Sequence, residues 1–367
     1  MRIGLDARSL HREGVGRYIR ELIKNLSNID KENQYTIFLD SEKSQGLEIS
    51  ENVKLVITEP QTRFRKMGRV LRDIYRENID VFHALDHWYI PFKPHCPVIS
   101  TFHDVMVKTY PASLPVKSRL YSRIATRVAI GLSSWIITVS EFNKNEILNN
   151  YRFNSNNISV IYNGVSENFK PFAKKDPNYF KNRYGINAGY FFYAGSMRRY
   201  KNLRTLIKAY AGLRKELRER HDLVIAARYE HEYPVLKTLT KSLNVDDKVH
   251  FVGYLKEEDI INFYNYSISF ITLSLYESFC LPLVEAMACG IPIIAPDRLS
   301  FPEITQNTGI LVNPLNTKEI SLSMERAATD SILRESFISR GVKLSERYSW
   351  EKNANEVRNI YEKFRRE

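Results

Sequence analysis

The chain has 367 residues, 43% of them hydrophobic and 26% charged, which is ordinary for a globular protein and long enough for two domains with separate cores. No apolar run approaches the roughly 20 residues of a membrane span. The opening MRIGLDARSL reads as a first strand where a signal peptide would carry a long apolar core, so neither a membrane-spanning nor a secreted protein is expected. The formal net charge of +12 favours an anionic partner (nucleic acid, a membrane surface or a phosphorylated substrate) without choosing among them. Cys96, Cys280 and Cys289 have neither zinc-ligand spacing nor the density of a disulfide framework, which fits a reducing, cytoplasmic setting.

Along the first half, short apolar runs alternate with helical patterns, the signature of an α/β parallel sheet covered on both faces. The predicted strands are Ile3 to Asp6, Tyr35 to Leu39, Leu55 to Thr58, Val81 to Ala84, Val98 to Phe102 and Ile136 to Val139. After the first of them, REGVGRYIRELIKNL places Gly14 and Gly16 before a helix with apolar residues at Tyr18, Ile19, Leu22, Ile23 and Leu26. A glycine pair opening a helix can admit a phosphate, although a simple turn has the same pattern. His103 and Asp104 follow the fifth strand, at the carboxyl end where open α/β sheets bind ligands.

Two basic stretches stand out. Arg63, Arg65, Lys66, Arg69, Arg72 and Arg76 are set against Asp73 alone, and the segment between Val105 and Ser140 carries Lys108, Lys117, Arg119, Arg123 and Arg127 with no acidic residue. In PVKSRLYSRIATRVAIGL, Leu120, Ile124 and Val128 form one helical stripe with the cations mostly off it, a pattern that suits an anionic membrane surface as well as a solvated helix face. Turn residues from Ile158 to Pro171 read as a linker.

A second α/β series follows, with strands expected at Tyr190 to Tyr193, Leu223 to Ala227, Val249 to Val252, Ile268 to Leu273, Pro292 to Ala295 and Gly309 to Val312. Its first strand leads into YAGSMRRYKNLRTLIKAY, where Lys201, beside Arg198 and Arg199, precedes a helix from Leu203 to Tyr210. A cation there can neutralise charge on a departing diphosphate. The stretch LYESFCLPLVEAMACG reads as a loop and a short helix from Pro282 to Cys289, with proline at the first helical position and Gly290 just past the end. The amides of Ser278 to Leu281 then lie at a positive helix terminus suited to a phosphate. Glu277 in the loop and Glu285 one turn down the helix can accept hydrogen bonds from the hydroxyls of a sugar or ribose. A last helix is expected from Trp350 to Phe364.

Taken together, the glycine loop, the His-Asp pair, the Asn-Gly-Val of the linker, Lys201–Asn202 and the E-x7-E string resemble the retaining glycosyltransferases of family 4 (group 1) over nearly the whole chain. That family includes glycogen and sucrose synthases and bacterial polysaccharide mannosyltransferases. The resemblance implies a GT-B fold: two Rossmann-like domains facing across a cleft, here residues 1–165 joined by a terminal helix 350–367, and residues 166–349. It further implies that Glu277 and His103 lie against the transferred sugar and that Lys201, with Arg198 or Arg199, stabilises the leaving diphosphate. By the same resemblance Ser278, Phe279, Cys280 and Leu281 hold the diphosphate, Glu285 the ribose, and Gly14 and Gly16 close on the donor. Asp104 is a neighbour of that site, and Arg228 and Tyr254 lie near the base. Where the family usually carries glycine, this chain has Cys280.

The implied reaction is transfer of a sugar, with mannose from GDP-mannose the first choice, to an acceptor hydroxyl of a growing glycan or lipid-linked oligosaccharide. It is expected to proceed with retention, without a cofactor or a metal, and at the inner face of the cytoplasmic membrane. Other donors (UDP-glucose, UDP-GlcNAc or dTDP-rhamnose) and a GT-B epimerase or phosphorylase are the alternatives. A Rossmann oxidoreductase would need the G-x-G-x-x-G fingerprint with an acidic residue about twenty positions on, and the chain lacks it. No nucleic-acid-binding module is recognisable.

Overall fold

The computed structural model describes the chain except for residues 41–46, 48–49, 58–62, 90–92, 107–115, 174–175 and 366–367. It divides into two compact units, Met1–Gly164 with Ser349–Glu367, and Val165–Tyr348.

The first unit is built on a seven-stranded parallel sheet in the order β3-β2-β1-β4-β5-β6-β7. The strands are β1 (Arg2–Asp6), β2 (Gln34–Leu39), β3 (Val53–Ile57), β4 (Val81–Ala84), β5 (Val98–Phe102), β6 (Trp135–Thr138) and β7 (Ile158–Val160). Its helices are α1 (Glu13–Ile29), α2 (Arg63–Arg76), α3 (Val116–Leu132), α4 (Glu141–Asn150) and, from the far end of the chain, α14 (Trp350–Glu362). The four residues of β4 and the five of β5 are all buried, as strands covered on both faces must be. Val70 and Ile74 of α2 and Ala129 and Ile130 of α3 join one core cluster with Phe82, Val98 and Phe102, so these two helices cover the same face of the sheet.

The seventh strand corrects the expected linker. Ile158 to Val160 pairs with β6 in register Ile136 to Ile158, and only the residues beyond it are irregular. Three residues on a sheet edge are too short to stand out against the turn-forming NGV that follows. α14 packs on α1, and its Tyr361 hydroxyl lies 2.7 Å from Nδ1 of buried His83, whose Nε2 lies 2.8 Å from Thr101 Oγ1. Burial pulls the His83 pKa down to about 3, so the ring is neutral and serves as a donor on one side and an acceptor on the other.

The second unit holds a six-stranded parallel sheet in the order β10-β9-β8-β11-β12-β13. Its elements run α5 (Pro177–Tyr184), β8 (Tyr190–Ala194), α6 (Leu203–Ala211), α7 (Lys215–Arg220), β9 (Leu223–Ala226), α8 (Tyr233–Ser242), β10 (Val249–Gly253), α9 (Glu257–Tyr266) and β11 (Ser267–Ile271). They continue through α10 (Leu281–Ala288), β12 (Ile293–Pro296), α11 (Phe301–Thr305), β13 (Ile310–Val312), α12 (Thr317–Thr329) and α13 (Ser331–Ser345). Strand β8, YFFYA, is buried along its length, and Phe191 and Tyr193 anchor a core with Leu206, Ile207, Ile225 and Ile271. Each such side chain contributes about 1.5–3 kcal/mol by leaving water.

Candidate functional site

In both sheets the strand order reverses once, between β1 and β4 and between β8 and β11. Beyond the carboxyl ends of two strands that flank such a reversal, the connections leave in opposite directions and a crevice opens for a ligand. Each unit places a charged pair there.

In the second unit the pair joins Lys201, after β8, to Glu277, after β11. The Lys201 ammonium donates to Glu277 Oε2, and the two side chains are only 15% and 20% exposed. Burial by itself would lower the lysine pKa, but the carboxylate beside it overrides this and holds the group above the ordinary lysine range. Lys201 closes a 3-10 turn, Arg199–Lys201, and Asn202 follows in the left-handed region at φ 61°. Asn202 has its amide on the Pro314 carbonyl at 2.8 Å, and its side-chain oxygen accepts from Thr205 at 2.7 Å, so the turn is fixed from both sides. The Glu277 loop is pinned likewise: the Leu275 N–H donates to the Tyr200 carbonyl at 2.7 Å and the Ser300 hydroxyl to the Glu277 carbonyl at 3.0 Å.

The helix that follows starts one residue earlier than the sequence pattern indicates. α10 begins at Leu281 with Cys280 as its N-cap, so Pro282 sits in the second position, where its missing N–H again has no intrahelical partner to lose. Cys280 has φ −110° and ψ 90°, an extended conformation open to any residue, and burial pushes its thiol up to about 12. Gly290, beyond the helix end, takes φ 67° as a left-handed terminator should. Ser278 and Phe279 are buried at the entry to the helix, with the Phe279 ring edge-on to Tyr348. Glu285 is buried, and its Oε2 accepts from the Tyr264 hydroxyl at 2.8 Å.

Of the two arginines, Arg199 leans toward Glu232 at 3.5 Å, a carboxylate that also pairs with Arg204 at 2.7 Å. Arg198 is exposed and has no ion pair among the described residues. Glu230 accepts from the Met197 N–H at 3.1 Å and braces the same turn. Tyr254 is 63% exposed, with the Arg228 guanidinium 4.4 Å over its ring.

In the first unit Gly14 and Gly16 lie inside α1, which starts at Glu13, and not ahead of it. The Gly16 N–H already makes the helical bond to the Arg12 carbonyl, and a Cβ on Gly16 would stand 2.2 Å from the Leu10 carbonyl oxygen. Glycine is required there by that close approach, whereas at Gly14 a Cβ would meet nothing within 4 Å.

His103 Nε2 lies 2.9 Å from the Leu85 carbonyl, which can only accept, so Nε2 carries the hydrogen and Nδ1 of the neutral ring is an acceptor. Burial lowers the His103 pKa and favours that neutral form, and the Tyr18 ring packs edge-on against it at 4.7 Å. Asp104 Oδ1 accepts from the Met106 N–H at 3.3 Å, capping the turn after β5.

Sequence reasoning missed the polar cluster after β4. Asp86 Oδ2 accepts from the Ser9 hydroxyl at 2.7 Å and from Arg12, and His87 stacks on Phe102 at 4.3 Å. The available signal was Asp86–His87 directly after a buried strand, the same placement that drew notice to His103–Asp104. Glu230, Glu232 and Ser300 were also missed, because their roles depend on contacts remote in sequence.

Known proteins resemble the chain in sequence and in fold. Residues 177–344 match the family model described as Glycosyl transferases group 1, and residues 12–169 match Glycosyltransferase Family 4. The chain is 25% identical over 370 residues to O-antigen chain mannosyltransferase B of Escherichia coli, covering 95% of each. It is 28% identical over 218 residues to O-antigen chain mannosyltransferase RfbU of Salmonella typhimurium strain LT2, covering 59% of this chain and 57% of that one. In fold it is similar to Anabaena Alr3699/HepE in complex with UDP and glucose, with a TM-score of 0.80, 17% identity and 99% of each chain covered.

Proposed function

Because the chain belongs to the family 4, group 1 glycosyltransferases of GT-B fold and is a hexosyltransferase, we propose that it transfers mannose from GDP-mannose to an acceptor hydroxyl of a bacterial surface polysaccharide, with retention of configuration and without a metal. The observation that carries this reading is the Lys201–Glu277 pair at the strand-order reversal, beside the amino terminus of α10. A lysine and helix-end amides meet the charge that develops on a leaving diphosphate. Glu277 takes hydroxyls of the sugar.

In the step itself the bond from the anomeric carbon to the phosphate oxygen breaks and the bond to the acceptor oxygen forms on the same face. The acceptor's proton passes to the departing phosphate oxygen, so no separate base is required. The mannose choice is supported by the names of the two O-antigen relatives. A panel of GDP-mannose, UDP-glucose, UDP-GlcNAc and dTDP-rhamnose, read as thermal shift and donor hydrolysis, tests it. A response to GDP-mannose alone is expected, and a response only to another donor replaces the sugar while leaving the reaction class.

The reading includes peripheral contact with an anionic membrane. No helix among the described residues is long and apolar enough to cross a bilayer. α3, however, turns Leu120 (64% exposed) and Ile124 (55% exposed) to solvent along with Tyr121 and Val128, between Arg119, Arg123 and Arg127. Arg69, Arg72 and Arg76 of α2 lie on the same side of the sheet. Lys108 lies outside the described residues, as do the side chains of Arg63, Arg65, Lys66 and Lys117. An apolar stripe edged by cations suits the boundary between lipid headgroups and acyl chains, and each basic residue there contributes about 1 kcal/mol. Leu120→Ser with Ile124→Ser is expected to release the protein from phosphatidylserine vesicles in sedimentation without lowering its melting temperature. Binding independent of lipid charge and of both substitutions would remove the membrane from the reading.

A further inference from the structure

We infer that Asp86 is a positioning residue, which anchors Arg12 and through it the glycine-bearing start of α1 against the segment that carries His103. The inference rests on the reading that His103 of the first unit takes a hydroxyl of the donor sugar.

Asp86 lies two residues past β4 and the Ser9–Arg12 loop follows β1, so the two segments flank the point where the strand order reverses. The Asp86 side chain is 2% exposed, and Oδ2 alone gathers the Ser9 hydroxyl and the Arg12 guanidinium. Oδ1 is buried with no hydrogen-bond partner among the described residues, and His87 Nδ1, also without one among them, stands 3.8 Å from it. A carboxylate taken from water with half its acceptor capacity unmet is costly unless a full positive charge stands beside it. Arg12 supplies that charge from a side chain still 39% exposed, so its guanidinium is fixed at a buried anchor while the rest reaches solvent.

Arg12 is also the residue before α1, and its carbonyl accepts the first helical bond, from Gly16. Fixing Arg12 therefore fixes the amides at the start of this 17-residue helix. On the other side, the carbonyl that sets the His103 tautomer belongs to Leu85, the residue next to Asp86. One carboxylate thus holds both approaches to the site.

Asp86 also acts on His103 through charge. Of the groups around the imidazole, Asp86 raises its proton affinity and Arg12 lowers it, while His83 and His87 are buried and neutral. Asp86→Asn removes the charge and keeps the shape. Its His103 ring resonances, followed by NMR across pH without any donor, are expected to titrate at lower pH than in the unmodified protein. Release of GDP from GDP-mannose is expected to show kcat/KM for the donor reduced 10- to 100-fold, mostly through KM.

Arg12→Gln, at the half-exposed partner, is expected to give a similar loss. The double variant should cost no more than the worse single one, because the two residues act as a unit. Folded Asp86→Asn protein with an unshifted His103 titration, or either variant within twofold of normal kcat/KM, overturns the inference. Should Asp86→Asn not fold, the Arg12→Gln kinetics decide. Failure of the unmodified protein to bind any nucleotide sugar would instead count against the proposed function, since the His103 titration needs no donor.

Discussion

Lys201→Ala is expected to lower kcat by about 10²–10³, the range seen when one preorganised group is removed from a developing negative charge. The ammonium sits on a short turn held by Asn202 and the Pro314 carbonyl, so in the proposed reaction it needs no reorganisation to meet the leaving group. Part of the cost falls on stability, because Glu277 is left half-buried beside no cation. Breaking a fully buried pair costs about 3–5 kcal/mol, and the partial exposure of both side chains here places the loss below that. Single-turnover rates under saturating donor, with a thermal melt of the same preparation, separate the two effects. A folded Lys201→Ala protein within threefold of the normal rate would remove Lys201 from the leaving-group site.

Glu277→Gln is expected to be comparably damaging and to change the pH profile in a defined direction. In the unmodified protein Glu277 holds the Lys201 pKa above its unfolded value. The pair's stabilisation is therefore fully present below the ordinary lysine range, near 10.4, and is lost only as pH rises through the still higher folded value. No alkaline limb from Lys201 falls within the usual assay range. Without the carboxylate, burial, the largest influence on the lysine pKa, lowers it against only the weaker opposing pull of Tyr200, Tyr193 and Cys280. Residual activity of Glu277→Gln should then decline at an alkaline pH where the parent still works. Identical alkaline profiles for parent and variant would show that the two groups do not share one site.

Much of this site was legible in the sequence, because its parts are local. Lys201–Asn202 and Glu277 to Glu285 each lie within one strand-loop-helix unit of the second unit, and in the first unit the apolar runs Val81–Ala84 and Val98–Phe102 have the bounds of the strands they form. What escaped is what long-range contacts decide. β7 is defined by pairing with β6, and Asp86 matters because β1 and β4 are neighbours in space although 75 residues separate Asp6 from Val81. The start of α1 was misplaced because glycine suggests a helix entrance, whereas the close approach of the Leu10 carbonyl explains why Gly16 lies inside the first turn. The side of α3 that meets solvent could not be read from a stripe that would serve equally as a core face; only the fold leaves Leu120 and Ile124 outside.

The central claim is same-face transfer with charge supplied by Lys201 and the α10 amides. It is tested most directly by proton NMR of the glycoside made from GDP-α-mannose with a hydroxyl acceptor, in the presence and absence of excess EDTA. An α-linked mannoside formed at the same rate in both is the expected result. A β-linked product would contradict retention, and loss of activity in EDTA would contradict the assignment of the leaving-group charge to protein groups alone.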